Sequence, residues 1–220
     1  MPSTRAEIIT RRTYSRPKED GTFETWEETV NRVIDHQKWL WERAAKRELN
    51  NAELSELDEL RHLMLGRKVL TSGRTLWLGG TDIAKRREAS QFNCSFTNVE
   101  TVYDVVDVLW LLMQGCGVGF RPIIGQLNGF QRPIPNITVI RSTRTEKGGH
   151  EHNIETWDDQ TKTWTIAVGD SAEAWSKSIG KLLAGKYPAD NLVLDFSAIR
   201  PAGERLSGYG WISSGDESIA

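Results

Sequence analysis

The sequence is poor in cysteine: Cys94 and Cys116 are the only two among 220 residues. Two cysteines cannot build the disulfide framework of a small secreted domain. Nor is there an excess of one charge. The 28 Lys and Arg stand against 30 Asp and Glu, for a formal net charge of −2. That balance gives no global basic field, so non-specific nucleic-acid binding is not expected. No apolar run approaches the roughly eighteen residues of a membrane span, and no membrane partner is expected. Residues 1–16 are polar and basic and carry no secretory apolar core. A reducing cytoplasm is the expected location. Apolar residues make up 38% of the chain, which is ordinary for a globular protein. The length allows one large domain or two small ones with a real core. Nine tryptophans are many, and packing accounts for most of them more simply than binding does.

The pattern divides the chain into a polar arm at 1–24, a helical region at 25–68 and an α/β region at 69–220. Thr25 with Glu28 is a capping-box pattern. Behind it Val30, Val33, Ile34, Leu40 and Trp41 recur at helical spacing, so a helix is expected over about 26–46. A second helix is expected over 52–65, closed by Gly66 as a C-cap. The run Thr71-Ser72-Gly73-Arg74-Thr75 offers hydroxyls, backbone N–H groups and a guanidinium, a set suited to phosphate; a surface turn is the plainer reading. Residues 82–89 read as charged and exposed.

Residues 92–96 form a strand candidate. Thr101 and Asp104 cap an almost wholly apolar helix to about Gln114, which must be buried on more than one side. Gly115-Cys116-Gly117-Val118-Gly119 follows and reads as a glycine loop. It lacks the strand, G-x-G-x-x-G, helix order of a dinucleotide fingerprint, yet lets backbone approach a ligand. Further strands are expected at 137–140, 164–168 and 191–196. A helix capped near Ser171 is expected to reach Ala184. Ser214-Gly215-Asp216-Glu217 is another capping-box pattern with one turn of sequence behind it. A single turn is unstable alone, so the sequence reads as the first part of something completed elsewhere.

Cys94 is the candidate redox group, between Asn93 and Ser95. An inert buried thiol is the commoner fate of a free cysteine. Cys116 is not taken as its working partner, because a glycine loop does not obviously activate a thiol. His150 and His152 lie in a polar stretch and do not combine with the cysteines in any zinc-ligand spacing, so no metal is expected. Asp195 ends a strand, where a capping role is the simpler one.

Together these pieces resemble the N-terminal part of the ribonucleotide reductases, above all the monomeric, adenosylcobalamin-dependent ribonucleoside-triphosphate reductases, phage-type members included. The matching stretches run in family order: Arg12 to Arg16, Trp26 to Val30, Ser72 to Trp77, Gly79-Gly80-Thr81, Phe92-Asn93-Cys94, Gly117 to Phe120, Gly169 to Trp175, and Asp195 to Gly210. The resemblance implies an α/β fold, with an N-terminal helical region and the first part of a ten-stranded barrel. It implies that Cys94 is one of two thiols that become a disulfide as the ribose 2′-hydroxyl leaves as water. Asn93 and Cys94 would lie at the ribose, Ser72 at the substrate phosphate, and Gly117 where backbone lets the ribose approach. It also implies a ribonucleoside triphosphate substrate, a deoxynucleotide effector held partly by residues 126–164, a thioredoxin-like reductant and adenosylcobalamin. If a phage encodes the chain, the location becomes the host cytoplasm.

Two departures stand against the family pattern. Cys116 sits where the family usually has glycine. No third cysteine exists to serve as the radical thiol or the second redox thiol, and the finger-loop residues are not matched. The chain alone is therefore expected to be inactive, with adenosylcobalamin bound mainly elsewhere and a second polypeptide completing the barrel. A diiron partner as the radical source is the less favoured reading. A non-catalytic nucleotide-binding or interaction module is the alternative function.

Overall fold

The computed structural model describes residues 3–130, 133–145, 148–206 and 209–218. The chain divides into two units, Met1–Phe92 and Asn93–Ala220.

Helix α2 (Trp26–Ala45) and helix α3 (Asn51–Leu65) organise the first unit. Each starts on a reciprocal cap, Thr25 with Glu28 and Asn50 with Glu53, which satisfies backbone donors that a helix start leaves open. Val30, Val33 and Ile34 of α2 meet Leu57 and Met64 of α3 in one buried cluster with Leu49 and Leu76. Gly66 does cap α3, but at φ −74°. The left-handed step falls one residue later, on Arg67 at φ 54°. The arm holds helix α1 (Thr4–Thr13), in which only Thr10 is buried. It lacks a buried apolar stripe, so periodicity gave no sign of it. Helices α4 (Gly73–Leu78) and α5 (Asp82–Arg86) and a 3-10 turn at Glu88–Gln91 complete the unit. The stretch expected to be wholly exposed thus contains a short helix, with Ala84 fully buried.

Arg32 ties these pieces together. Its guanidinium donates to both carboxylate oxygens of Glu24, at 2.7 and 2.8 Å, to the Leu76 carbonyl at 2.9 Å and to the Gly79 carbonyl. Burial alone would raise the Glu24 pKa. Arg32, with further donation from the Arg16 N–H and the Thr29 hydroxyl, outweighs that and holds it below the usual carboxylate range. Gly80, at φ +81°, closes on the same arginine, and a Cβ there would stand 2.6 Å from Arg32 Cγ. This is a physical reason for glycine in the Gly79-Gly80-Thr81 stretch.

His36 of α2 is 2% exposed and stacks on Trp39 with ring centroids 5.7 Å apart. Burial lowers its pKa below the ordinary value of 6.5, and Lys85, Arg32 and Arg43 lower it further against the opposing Glu88. An unfolded chain binds the proton near pH 6.5, whereas the folded chain resists it. His36 therefore stabilises the fold fully above about pH 6.5 and loses that contribution as pH falls through the folded value. Urea midpoints measured at pH 7.5 and 5.5 should show a drop for the native chain, and His36→Gln should flatten it.

The second unit begins with strand β1 (Cys94–Val99), helix α6 (Val102–Met113) and strand β2 (Gly117–Pro122). Strands β1 and β2 are parallel, with Cys94 opposite Gly117 and Phe96 opposite Gly119. The supposed glycine loop is thus mostly strand. Only Gly115 (φ +83°) and Cys116 form the turn out of α6. Strand pairing is made by backbone, so a glycine-rich segment joins a sheet when a partner strand lies beside it.

Strands β3 (Asn136–Ile140), β4 (Ile154–Asp158), β5 (Thr163–Ala167) and β6 (Asn191–Asp195) form a second sheet in the order β3-β6-β5-β4, and helix α7 (Ala172–Ala184) lies between β5 and β6 in sequence. β3, β6 and β5 are parallel, while β4 runs antiparallel to β5. Trp164, Ile166, Leu192, Leu194, Phe196 and Ile199 form its core. Helices α6 and α7 pack closely, for a Cβ on Gly180 would stand 2.3 Å from Val106 Cγ2. Residues 126–164, polar as they are, supply both edge strands of this sheet. Every residue of β3 is exposed.

The capping box expected at Ser214–Glu217 is replaced by a tertiary contact. Asp216 is 8% exposed and accepts from Arg141 Nε at 2.7 Å and from the Ser142 N–H at 2.9 Å. The Arg141 hydrogen bond holds its carboxyl below the usual range. Residues 219–220, part of the helix start read from sequence, lie outside the described residues.

Candidate functional site

Strand alternation places Cys94, Phe96 and Asn98 on one face of β1, with Gly117, Gly119 and Arg121 beside them on β2. Cys94, Asn93 and Gly117 are all exposed, whereas Ser95, Thr97 and Val99 on the opposite face are half-buried or buried. The Gly117 N–H donates to the Asn93 carbonyl at 2.8 Å. A Cβ built on Gly117 would stand 3.6 Å from that carbonyl and 3.8 Å from Cys94 Sγ. Both are ordinary contacts, so glycine here is not forced by packing. Its absent side chain instead leaves open the space directly beside the thiol. Gly119 continues the open strip, bordered by Phe96, whose Cδ2 would be 3.0 Å from a Cβ there. The arrangement offers one accessible thiol and a nearly side-chain-free backbone next to it, which suits a flat or polar ligand laid against the strand.

The second cysteine has a different environment. Cys116 is 3% exposed and its thiol lies 3.6 Å from the Gly117 carbonyl. Both cysteines are free. Gln114 and Tyr209 went unnoticed in the sequence. Gln114 ends α6 fully buried, and its side-chain carbonyl accepts from the Tyr209 hydroxyl. Tyr209 in turn stacks on Trp211 at 4.8 Å. This buried bond ties the Gly115 turn, and so the start of β2, to the chain some ninety-five residues on. A lone buried glutamine after an apolar helix is its only local sign.

Ser72 belongs to the first unit. It is exposed and caps α4, its Oγ accepting from the Thr75 N–H at 3.3 Å and lying 3.0 Å from the Thr75 hydroxyl. His150 Nδ1 lies 2.6 Å from the His152 carbonyl. Among the described residues no three His, Cys, Asp or Glu side chains gather as a metal site, and no helix is long and apolar enough to cross a membrane. Asp195 accepts from the Ser197 N–H at 2.8 Å, the capping role expected of it.

The geometry defines an α/β protein in which a parallel strand–helix–strand unit presents a thiol beside glycines. Residues 2–81 match the ribonucleotide reductase alpha domain model. Over 222 residues the chain is 29% identical to the "Probable adenosylcobalamin-dependent ribonucleoside-triphosphate reductase" of Dictyostelium discoideum, covering 97% of this chain and 28% of that protein. It is 27% identical to the adenosylcobalamin-dependent ribonucleoside-triphosphate reductase of Lactobacillus acidophilus and 29% identical to that of Lactobacillus leichmannii, covering 94% of this chain in each case and 34% and 33% of theirs. A crystal structure of a B-12 dependent (class II) ribonucleotide reductase shares the fold, with a TM-score of 0.75 and 22% identity over 96% of this chain and 35% of that one. Nearly the whole chain is thus similar to the N-terminal third of proteins named adenosylcobalamin-dependent ribonucleoside-triphosphate reductases, and residues 2–81 carry the match to the ribonucleotide reductase alpha domain. The chain spans about a third of the length of the curated relatives it matches.

Proposed function

We propose that this chain supplies one of the two reducing thiols, and part of the substrate site, for conversion of ribonucleoside triphosphates to 2′-deoxyribonucleotides. The carrying observation is Cys94, exposed at the head of β1 and paired across the sheet with Gly117. In the net reaction two thiols lose two electrons and two protons and join as a disulfide. The ribose C2′–O bond breaks, its oxygen leaves as water, and C2′ gains hydrogen. A thioredoxin-like dithiol then restores the pair by exchange. Asn93 and Gly117 are the proposed ribose contacts, and Ser72 a triphosphate contact.

Radical formation belongs, in this reading, to a second polypeptide. Cys94 and Cys116 are the only thiols here, and buried Cys116 sits poorly for exchange. Unpaired strand edges support a completing partner: β3 is exposed throughout and edges its sheet, and such an edge is a template for further strands. The relatives' names carry adenosylcobalamin. No step on this chain is routed through it, and the cofactor is placed mainly on the partner. The resemblance alone supports a deoxynucleotide effector at residues 126–164 and a cytoplasmic location.

The test is reconstitution: the chain, a polypeptide bearing the missing cysteines, adenosylcobalamin, a reduced dithiol and a ribonucleoside triphosphate, assayed for deoxynucleotide. Turnover is expected only with both chains, and its absence with a correctly matched partner counts against the reading.

One observation favours a second reading, a non-catalytic binding or interaction module: the Ser72 hydroxyl is already engaged as a helix cap. Ser72→Ala removes both roles. The cap alone costs about 1 kcal/mol of stability. In the reductase reading, calorimetry should show weaker triphosphate binding as well. Binding indifferent to Ser72, with only the stability loss, favours the module.

A further inference from the structure

Helix α1 and the α2–α3 hairpin carry matched surfaces that the first unit leaves open. On α1, Ile8 is 60% and Ile9 45% exposed. Arg5 lies one turn before this pair and Arg12 one turn after it, so all four share a stripe. Both arginines are exposed and form no ion pair among the described residues. On the hairpin, Leu40 and Trp41 of α2 and Leu60 and Leu63 of α3 line a groove of about 580 Å³, with Glu56 and Glu59 also along it. Those two carboxylates are exposed and are likewise unpaired among the described residues. One surface is an apolar pair between two cations, and the other is an apolar groove beside two anions.

We propose that the groove receives helix α1 of a second copy of the chain. Ile8 and Ile9 enter the apolar floor, and Arg5 and Arg12 meet Glu56 and Glu59. The chain's own α1 is not the occupant, because it is held elsewhere. Its Thr10 hydroxyl accepts from Arg67 at 2.7 Å, and Arg67 stacks over Trp26 at 4.3 Å. Trp26 itself donates to the carbonyls of Met64 and Leu65. That anchor fixes α1 at the Trp26 end of the hairpin, whereas Leu40 and Trp41 lie about four turns further along α2. A two-fold arrangement uses both helices and both grooves once, which closes the assembly as a dimer. Helix-in-groove docking of this kind rests on spaced apolar anchors, with flanking charges setting the orientation. The inference is independent of the chemistry assigned to Cys94.

Sedimentation equilibrium of the full chain across a wide concentration range tests it. The native chain should show a monomer–dimer equilibrium. Ile8→Asp with Ile9→Asp should weaken dimerisation at least about tenfold, as should Glu56→Lys with Glu59→Lys. Adding Arg5→Glu and Arg12→Glu to the latter pair should restore it, an effect that a folding defect would not produce. Far-UV circular dichroism checks that these surface changes leave the helices intact. A chain monomeric at every concentration overturns the proposal. So does a dimer indifferent to both substitution pairs, which would place assembly elsewhere, such as on a strand edge. A charge reversal that fails to restore association overturns the pairing of these two surfaces.

Discussion

Replacing Cys94 with serine should reduce turnover of a reconstituted two-chain assembly to background. The loss should be on the order of 10³-fold or more, about 4 kcal/mol in transition-state terms. The change is nearly isosteric on an exposed strand residue, so the fold should be unaffected. A hydroxyl in place of the thiol cannot form the disulfide that takes up the two electrons' worth of oxidation. Loss should therefore persist whatever reductant is supplied. Cys116→Ser tests the other half of the assignment. Cys116 is buried, so its replacement should cost stability but leave the chemistry competent. Deoxynucleotide formed per chain, followed over several cycles with a thioredoxin-like reductant, separates the two. If Cys94→Ser sustained repeated cycles at the native rate, the redox role would be lost.

The largest expected effect on stability is at Trp164 in β5. It is 1% exposed, the largest fully buried side chain, and contacts Tyr187 edge-on at 5.5 Å. Trp164→Ala should destabilise by about 3–5 kcal/mol, from lost burial and the cavity left behind. The indole N–H has no hydrogen-bond partner among the described residues. Trp164→Phe removes that stranded donor while retaining much of the ring, so the lost area and the relieved desolvation offset each other. Its cost should stay within about 1 kcal/mol. Urea denaturation of the two variants reads the difference directly. A large cost for phenylalanine would mean that the indole nitrogen is engaged after all.

Local signals made parts of this fold legible. α2, α6 and α7 stand close to where caps and apolar spacing put them, because Thr25, Thr101 and Ser171 act within three residues of themselves; α3 was placed by its apolar spacing and Gly66, and its Asn50 cap is a finding of the structure. α1 was hidden because it buries almost nothing, and β2 because glycines carry no strand preference of their own. β4 holds a charged Glu155 paired with Lys181 of α7, and no alternation stood out around it. The polar ties were the least legible. Arg32 with Glu24 and Gly79, Arg141 with Asp216, and Gln114 with Tyr209 join residues far apart in the chain, and no short pattern announces either partner. At the site, the resemblance singled out Cys94, Asn93 and Gly117, but the register that puts Gly117 beside the thiol is a tertiary fact. Cys116 is 3% exposed, a burial that its glycine-rich surroundings do not announce.

The order β3-β6-β5-β4 has a consequence for how the polypeptide is born. β4 and β5 are a hairpin and can close as soon as both leave the ribosome, within microseconds. β3 emerges before either, yet its neighbour β6 begins about fifty residues later. At ordinary elongation speeds that is a wait of roughly 3–10 s. Throughout it, Ile137, Val139 and Ile140 stand in water with no strand beside them. The nascent chain therefore holds an apolar strand for seconds without a mate, an interval in which its bare edge is open to pairing with other chains.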